Sequence, residues 1–396
     1  MFRRILFWLH LAAGCVAGLV ILLMSATGVM LTYEKQMLAW LDRPPSVSTV
    51  GARLPVSGLA AAVREQRPEL ATSATLTLRS DPASPAEVRA GREEMFYVDP
   101  YSGKILAKSP GNSRAVFQKI TAWHRWMGVE GPGRATARAI TGACNLCFLF
   151  IVVSGACLWL PRRWSRPAVC SVLLFRLALS GKARDFNWHN VFGIWALVPL
   201  FFVVLTALPM SYSWANELLY TWTGTQPPPS PARGTRRPEG GGRRERGEIG
   251  FANTDLDKLW NRAQNQTPGW RTITARLTPE GGTSTFTIDA GNGGQPQKRS
   301  TLTLHSATAD VVRLETFADA PAGRRLRMWS RFVHTGEYYG VAGQTIAGLA
   351  SFAGVMLVWT GKSLALRRFF AWRARRGRAA AADVPEPVGA GAQDRV

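Results

Sequence analysis

Cysteine is scarce in this chain. The five present, Cys15, Cys144, Cys147, Cys157 and Cys170, fall in apolar stretches or in one short basic loop, and the two long polar segments have none. That excludes a disulfide framework for those segments. Cys144 and Cys147 form a CxxC, but no histidine follows it, which excludes covalent attachment of a c-type haem. Acidic residues are also few, 26 against 48 Lys and Arg, for a formal charge of +22. In a soluble protein such an excess would point to nucleic acid. Here it lies along the edges of apolar runs and in one Pro-, Gly- and Arg-rich stretch, so nucleic acid is excluded as a partner and anionic lipid heads are expected instead. Histidine numbers only five. A zinc site wants three or four close ligands, so it would need Glu130 or Glu337 to join the histidines.

What the chain does have is four long apolar runs, at about 5–33, 139–160, 189–212 and 339–360. Each is near or above the ~20 residues that cross a hydrocarbon layer of about 30 Å. The first is longer than a signal-peptide core and shows no small-residue cleavage pattern, so it reads as a retained anchor. Arg3 and Arg4 precede it, Arg162, Arg163, Arg166, Arg176, Lys182 and Arg184 fill the short loop at 161–188, and Arg367, Arg368, Arg373, Arg375, Arg376 and Arg378 sit in the basic tail at 361–396. The positive-inside rule makes these three segments, and both termini, cytoplasmic. Two long segments, with domains expected at 34–122 and 213–325, then lie on the other side. Arg324, Arg325, Arg327 and Arg331 run locally against the rule, which long translocated domains tolerate.

The same order of parts occurs twice: an outgoing helix, an extracytoplasmic α+β domain, a histidine, and a returning helix. The expected fold is an integral membrane α-helical protein built as two parallel repeats. In the first domain the pattern predicts a helix over Pro55–Arg67, a strand over Thr75–Arg79 and a hairpin over Met95–Leu106 that turns at Asp99–Gly103. In the second it predicts a helix over Asp255–Asn265, strands over Thr272–Leu277 and Ser284–Asp289, and a hairpin over Thr301–Glu315. An insert at 226–250 has too few apolar residues to order itself.

Four of the five histidines lie at or near helix ends and sort two and two. His10 and His189 belong to the cytoplasmic face, His124 and His334 to the outer face. Parallel repeats relate through an axis along the membrane normal, which would bring each couple together across the bundle. Two neutral imidazoles can saturate haem iron and favour electron transfer over oxygen binding. Gly14, Gly128 and Gly193 each follow one of these histidines at i+4, where an absent side chain leaves room for a flat macrocycle or for close helix packing. His334 lacks that step and has Gly336 and Gly340 nearby instead. Arg125, Arg134, Arg138, Arg324, Arg325, Arg327 and Arg331 border the outer couple, either as a solvated rim, as partners of haem propionates or as an attractor of an anionic complex. Trp8, Trp123, Trp126, Trp188, Trp195, Trp329 and Trp359 flank the histidines or helix ends and read mostly as interfacial belts. His305 sits in a turn and reads as structural.

Taken in order, His10-Leu11-Ala12-Ala13-Gly14 with Thr27-Gly28, Tyr97-Val98-Asp99-Pro100-Tyr101-Ser102-Gly103, His124-Arg125-Trp126-Met127-Gly128, Trp188-His189-Asn190-Val191-Phe192-Gly193 and His334-Thr335-Gly336 resemble the PepSY-associated transmembrane family of bacterial inner-membrane proteins. The resemblance covers nearly the whole chain. It implies PepSY-like outer domains, two haems b held by His10, His189, His124 and His334, with Gly14, Gly128, Gly193 and Arg125 lining them, and electron transfer from a cytoplasmic or quinol donor to iron in a periplasmic ferric siderophore or other ferric chelate. The second outer domain has His305 and no glycine where the first has Asp99 and Gly103. Two rival readings stand beside this one. In one, the helices only anchor domains that bind an envelope peptidase or partner. In the other, the bundle transports the chelate, with Asn145, Ser154 and Thr206 as its polar residues.

Overall fold

A computed structural model describes residues 1–68, 74–90, 94–109, 111–160, 165–228, 255–276 and 282–382. The chain runs through α1 (Phe2–Leu31), α2 (Glu34–Leu41), α3 (Val56–Gln66), β1 (Ala74–Arg79), β2 (Ala86–Ala90), β3 (Glu94–Val98), β4 (Ile105–Lys108), α4 (Asn112–Trp126) and α5 (Arg134–Trp159). It continues through α6 (Arg166–Leu173), α7 (Gly181–Ser211), α8 (Ser213–Trp222), α9 (Leu256–Gln266), β5 (Thr272–Arg276), β6 (Thr283–Asp289), β7 (Arg299–His305), β8 (Val311–Glu315), α10 (Ala322–His334) and α11 (Gly340–Ala382). Arg162 and Arg163, most of the insert expected at 226–250, and the tail beyond 382 lie outside the described residues.

An apolar segment in lipid must satisfy its own backbone, which a helix does. Helices α1, α5, α7 and α11 are long and apolar enough to cross a membrane. Their bounds differ from the hydropathy runs in one informative way. Helix α7 begins at Gly181, eight residues ahead of His189, so that histidine is carried two turns inside a helix and not at its start. Helix α11 likewise continues to Ala382 through Arg367, Arg368 and Arg373, since Leu, Ala and Arg are good helix formers and long basic side chains reach water from a helix end.

The chain divides into two compact units. The first takes in Met1–Ala26, Ala143–Phe201 and the chain from Ala350 on. Arg3 closes the end of α5 by donating to the carbonyls of Leu158 and Leu160 at 2.7 and 2.8 Å, groups that a helix terminus leaves without partners of its own. Asn187 of α7, almost fully buried, gives its amide to the carbonyls of Ser171 and Leu174 and accepts from the Arg176 N–H, so it pins the segment around α6. Asp185, 2 % exposed, accepts from Ser363 and pairs with Arg184 at 2.9 Å and Arg367 at 3.6 Å.

The second unit is Thr27–Gly142 with Phe202–Leu349. Its centre is an antiparallel sheet of eight strands in the order β4-β3-β2-β1-β5-β6-β7-β8. The sequence treats 34–122 and 213–325 as separate domains; the structure joins their strands. β1 pairs with β5 over Thr75–Arg79 and Thr272–Arg276, and the Thr77 and Thr274 hydroxyls meet at 2.8 Å across the seam. Each would otherwise be an edge strand with a row of unpaired backbone groups, and pairing removes both edges. Helices α3 and α9 pack on the sheet through the same spacing, Val56, Leu59, Ala60 and Val63 from one and Leu256, Leu259, Trp260 and Ala263 from the other. Asp255 caps α9 by accepting from the Lys258 N–H.

Strand β2 has no counterpart in the sequence reading. It is short, follows Ser84-Pro85 and has little alternation, yet pairing with β1 and β3 on either side buries Ala86 and Val88 completely. The two hairpin turns also match more closely than their sequences do. Asp99 holds the first turn by accepting from the Tyr101 N–H and the Ser102 hydroxyl, and Gly103 takes φ +74°. In the second turn Ala309 occupies the same place at φ +61°, its N–H bonded to the His305 carbonyl as that of Gly103 is to Asp99. A left-handed alanine costs about 1 kcal/mol, which the surrounding pairing of β7 with β8 absorbs.

Candidate functional site

Each unit holds one of the two histidine couples. In the first, His10 of α1 and His189 of α7 lie within electrostatic reach of one another. Nδ1 of His10 is 2.8 Å from the Ser154 hydroxyl of α5, and Nδ1 of His189 is 2.9 Å from the Thr360 hydroxyl of α11. Both hydroxyls spend their proton on their own helix, Ser154 on the Ile151 carbonyl and Thr360 on the Met356 carbonyl. They must therefore accept from the rings. A neutral imidazole so held carries its proton on Nδ1 and its lone pair on Nε2.

A glycine follows each hydroxyl. A Cβ on Gly155 would come 3.4 Å from Cε1 of His10, and one on Gly361 would come 3.3 Å from Cε1 of His189. The Ser154-Gly155 and Thr360-Gly361 pairs thus do one job twice, the hydroxyl orienting a ring and the glycine admitting it. Sequence reasoning missed this function. The signal was there, as a hydroxyl residue followed by glycine 20 residues after the start of both α5 and α11.

Gly14 and Gly193 differ from these. A Cβ on Gly14 would meet nothing within 4 Å, and one on Gly193 only Leu357 at 3.7 Å. Close helix packing does not require glycine at either position.

The second unit brings His124 and His334 together, with ring centres 6.3 Å apart and planes inclined by 55°. His124 lies in the last turn of α4 and His334 is the last residue of α10, so neither is on a membrane-spanning helix. Nδ1 of His124 is 3.0 Å from the Thr27 hydroxyl. Nδ1 of His334 is 2.8 Å from the Val203 carbonyl, which can only accept, so the proton is on Nδ1 and the lone pair again on Nε2. Loss of hydration lowers the His334 pKa, the bond to Val203 opposes this, and the charge of Arg125 reinforces it. The neutral ring that results is the ligand form.

These couples fit an iron macrocycle by their donor chemistry. Two imidazole nitrogens on one metal, each at a bond length of about 2 Å, put the ring centres roughly 6 Å apart once the ring radii are included. That is the spacing of His124 and His334. Among the described residues no three His, Cys, Asp or Glu side chains gather as a metal cluster, and Glu337 is engaged with Lys35 at 2.8 Å.

Gly128 serves a different end from Gly14 and Gly193. With Met127 at φ +55° it ends α4 at φ +73°, and a Cβ there would strike the Trp123 ring at 2.8 Å. Its glycine is explained by chain reversal beneath the indole, not by room for a cofactor. His305 is exposed at the end of β7. Of the polar residues that suggested transport, Ser154 is the partner of His10, and Thr206 returns its hydroxyl to the Phe202 carbonyl.

Replacing Thr360 with valine keeps the shape and removes the acceptor. It is expected to leave His189 in place with Nδ1 unheld and, where that ring ligates a redox cofactor, to weaken its retention by roughly 10- to 100-fold and to shift its midpoint potential. Redox titration of the purified variant checks this, with Thr360→Ser expected to restore the wild-type value.

Four helices able to span a bilayer and an antiparallel sheet backed by helices define a membrane protein with an α+β domain. Its histidines are grouped in twos within helices. The chain belongs to the family described as PepSY-associated TM region, which matches residues 7–368. No curated protein matches it.

Proposed function

We propose that this protein is a di-haem b reductase of the bacterial inner membrane that passes electrons outward to iron in a ferric siderophore or another ferric chelate, for iron uptake. The observation that carries the reading is the 6.3 Å separation of His124 and His334, with Nδ1 of His334 committed to the Val203 carbonyl so that Nε2 is the nitrogen it would offer to iron. Haem b, held by these histidines, would supply a one-electron iron couple.

The chain's own residues orient and exclude. Ser154 and Thr360 hold the rings of His10 and His189 by accepting from Nδ1, and the hydrogen bonds raise the basicity of the opposite nitrogen. Gly155 and Gly361 admit those rings, a Cβ at either coming within 3.4 Å of Cε1. The arginine-rich short segments place His10 and His189 toward the cytoplasm, where a cytoplasmic or quinol donor would reduce the first haem, and place the sheet and the other couple in the periplasm. In this arrangement the chain is a two-fold parallel repeat, in which α3 with β1–β4 and α9 with β5–β8 are equivalent.

Protein expressed with ample haem is expected to show a six-coordinate, low-spin b-type absorbance spectrum, with close to two haems per chain by pyridine haemochrome. Reduced protein should be reoxidised by a ferric chelate. Protein that purifies folded but without haem would overturn the proposal.

A further inference from the structure

Next to the His124–His334 couple lies an unusual concentration of positive charge. Arg125, Trp126, Arg134, Ala135 and Arg138 line an open cleft of about 390 Å³. Arg331 is close enough for its charge to act on Arg125, and Arg327 on the same helix adjoins Arg331. Among the described residues none of these five arginines forms an ion pair with a carboxylate.

Like charges gathered without counter-ions repel, so the fold must hold them in place. It does so around one indole. The Arg134 guanidinium lies 3.5 Å and that of Arg125 4.8 Å from the centre of the Trp126 ring. Stacking occupies the faces of these planar groups and leaves their N–H edges outward. Arg138 is steadied by one bond to the Met210 carbonyl at 2.8 Å, and the Arg125 backbone carbonyl is held by the Thr141 hydroxyl at 3.0 Å.

We infer that this cleft is a carboxylate-binding site, taking either the carboxylates of a soluble iron chelate or the propionates of a haem held by His124 and His334. A guanidinium edge matches the two oxygens of a carboxylate with paired hydrogen bonds. Arg125 also ties the cleft to the couple, since it lines the cleft and directly follows His124 in α4. That the anion carries iron rests on the reductase reading; that the cleft binds carboxylate does not.

Gallium(III) citrate, which is not reduced, is the probe. It is titrated calorimetrically into the full chain in neutral detergent, in haem-free and haem-loaded forms, for wild type and for an Arg134→Gln, Arg138→Gln double variant. Binding is expected to weaken about tenfold or more in the double variant and to fall with rising salt. Equal binding to both forms identifies a soluble chelate as the occupant. Binding to the haem-free form alone, with the double variant losing haem faster on dialysis, identifies the propionates. If the double variant does not fold, Arg134→Lys keeps the charge and loses the paired geometry, and should weaken binding about threefold. The inference is overturned by binding that the variants leave unchanged. It is also overturned by no citrate binding together with unchanged haem retention, whether or not phosphatidylglycerol co-purifies through these arginines. Because gallium takes no electron, failure here and failure of the reductase reading are separate results.

Discussion

If the protein is the di-haem reductase proposed above, replacing His334 with alanine is expected to lower the haem content from about two per chain to about one, and to cut electron delivery to a ferric chelate by roughly 100-fold or more. The reason is geometric. His334 ends α10 with its Nδ1 proton committed to the Val203 carbonyl, so the ring is aimed before any cofactor arrives. Its removal would leave only His124 to hold a haem there. The remaining haem, on His10 and His189, should keep a low-spin spectrum, because its ligands are held by Ser154 and Thr360 in the other unit. His305→Ala is the control: that side chain is exposed at the end of β7, and its loss should change neither haem content nor rate. Full haem content in the His334 variant would end the pairing of His124 with His334.

Phe286→Ala is expected to destabilise the sheet by about 3–5 kcal/mol, the usual cost of emptying a fully buried aromatic site. Phe286 is 0 % exposed on β6, opposite Leu302 of β7 and Ala275 of β5, and its ring meets that of Trp260 edge to face at 5.9 Å. Trp260 and its neighbours on α9 are packed against strands from both segments of the sheet, so collapse around the cavity would have to move a core shared across the β1–β5 seam. A fall of roughly 10 °C in the unfolding temperature in detergent is the corresponding signal. An unchanged melting curve would mean that the sheet does not unfold as one cooperative body.

The spans, the helices α3 and α9, and most strands were legible because each rests on local periodicity. Apolar residues recur every three to four positions in α3 and α9, and alternate in Thr301-Leu302-Thr303-Leu304. The histidines were legible too, since scarcity made their positions conspicuous. Strand β2 was not, because its burial comes from neighbours on both sides and not from its own pattern. Gly128 was read for space beside a ligand, when a positive φ at the end of α4 accounts for it; no spacing rule separates those two uses of glycine.

By itself the sequence determined that this is a membrane protein with four apolar helices and two α+β segments, because hydropathy and periodicity are properties of contiguous residues. Only the tertiary structure decided that the two segments close one sheet through β1 and β5, that His124 and His334 meet at 6.3 Å, and that Ser154 and Thr360 take the Nδ1 protons of His10 and His189. Those are contacts between residues 144 to 210 positions apart, or between strand edges, and their partners are chosen by packing in three dimensions rather than by any local preference.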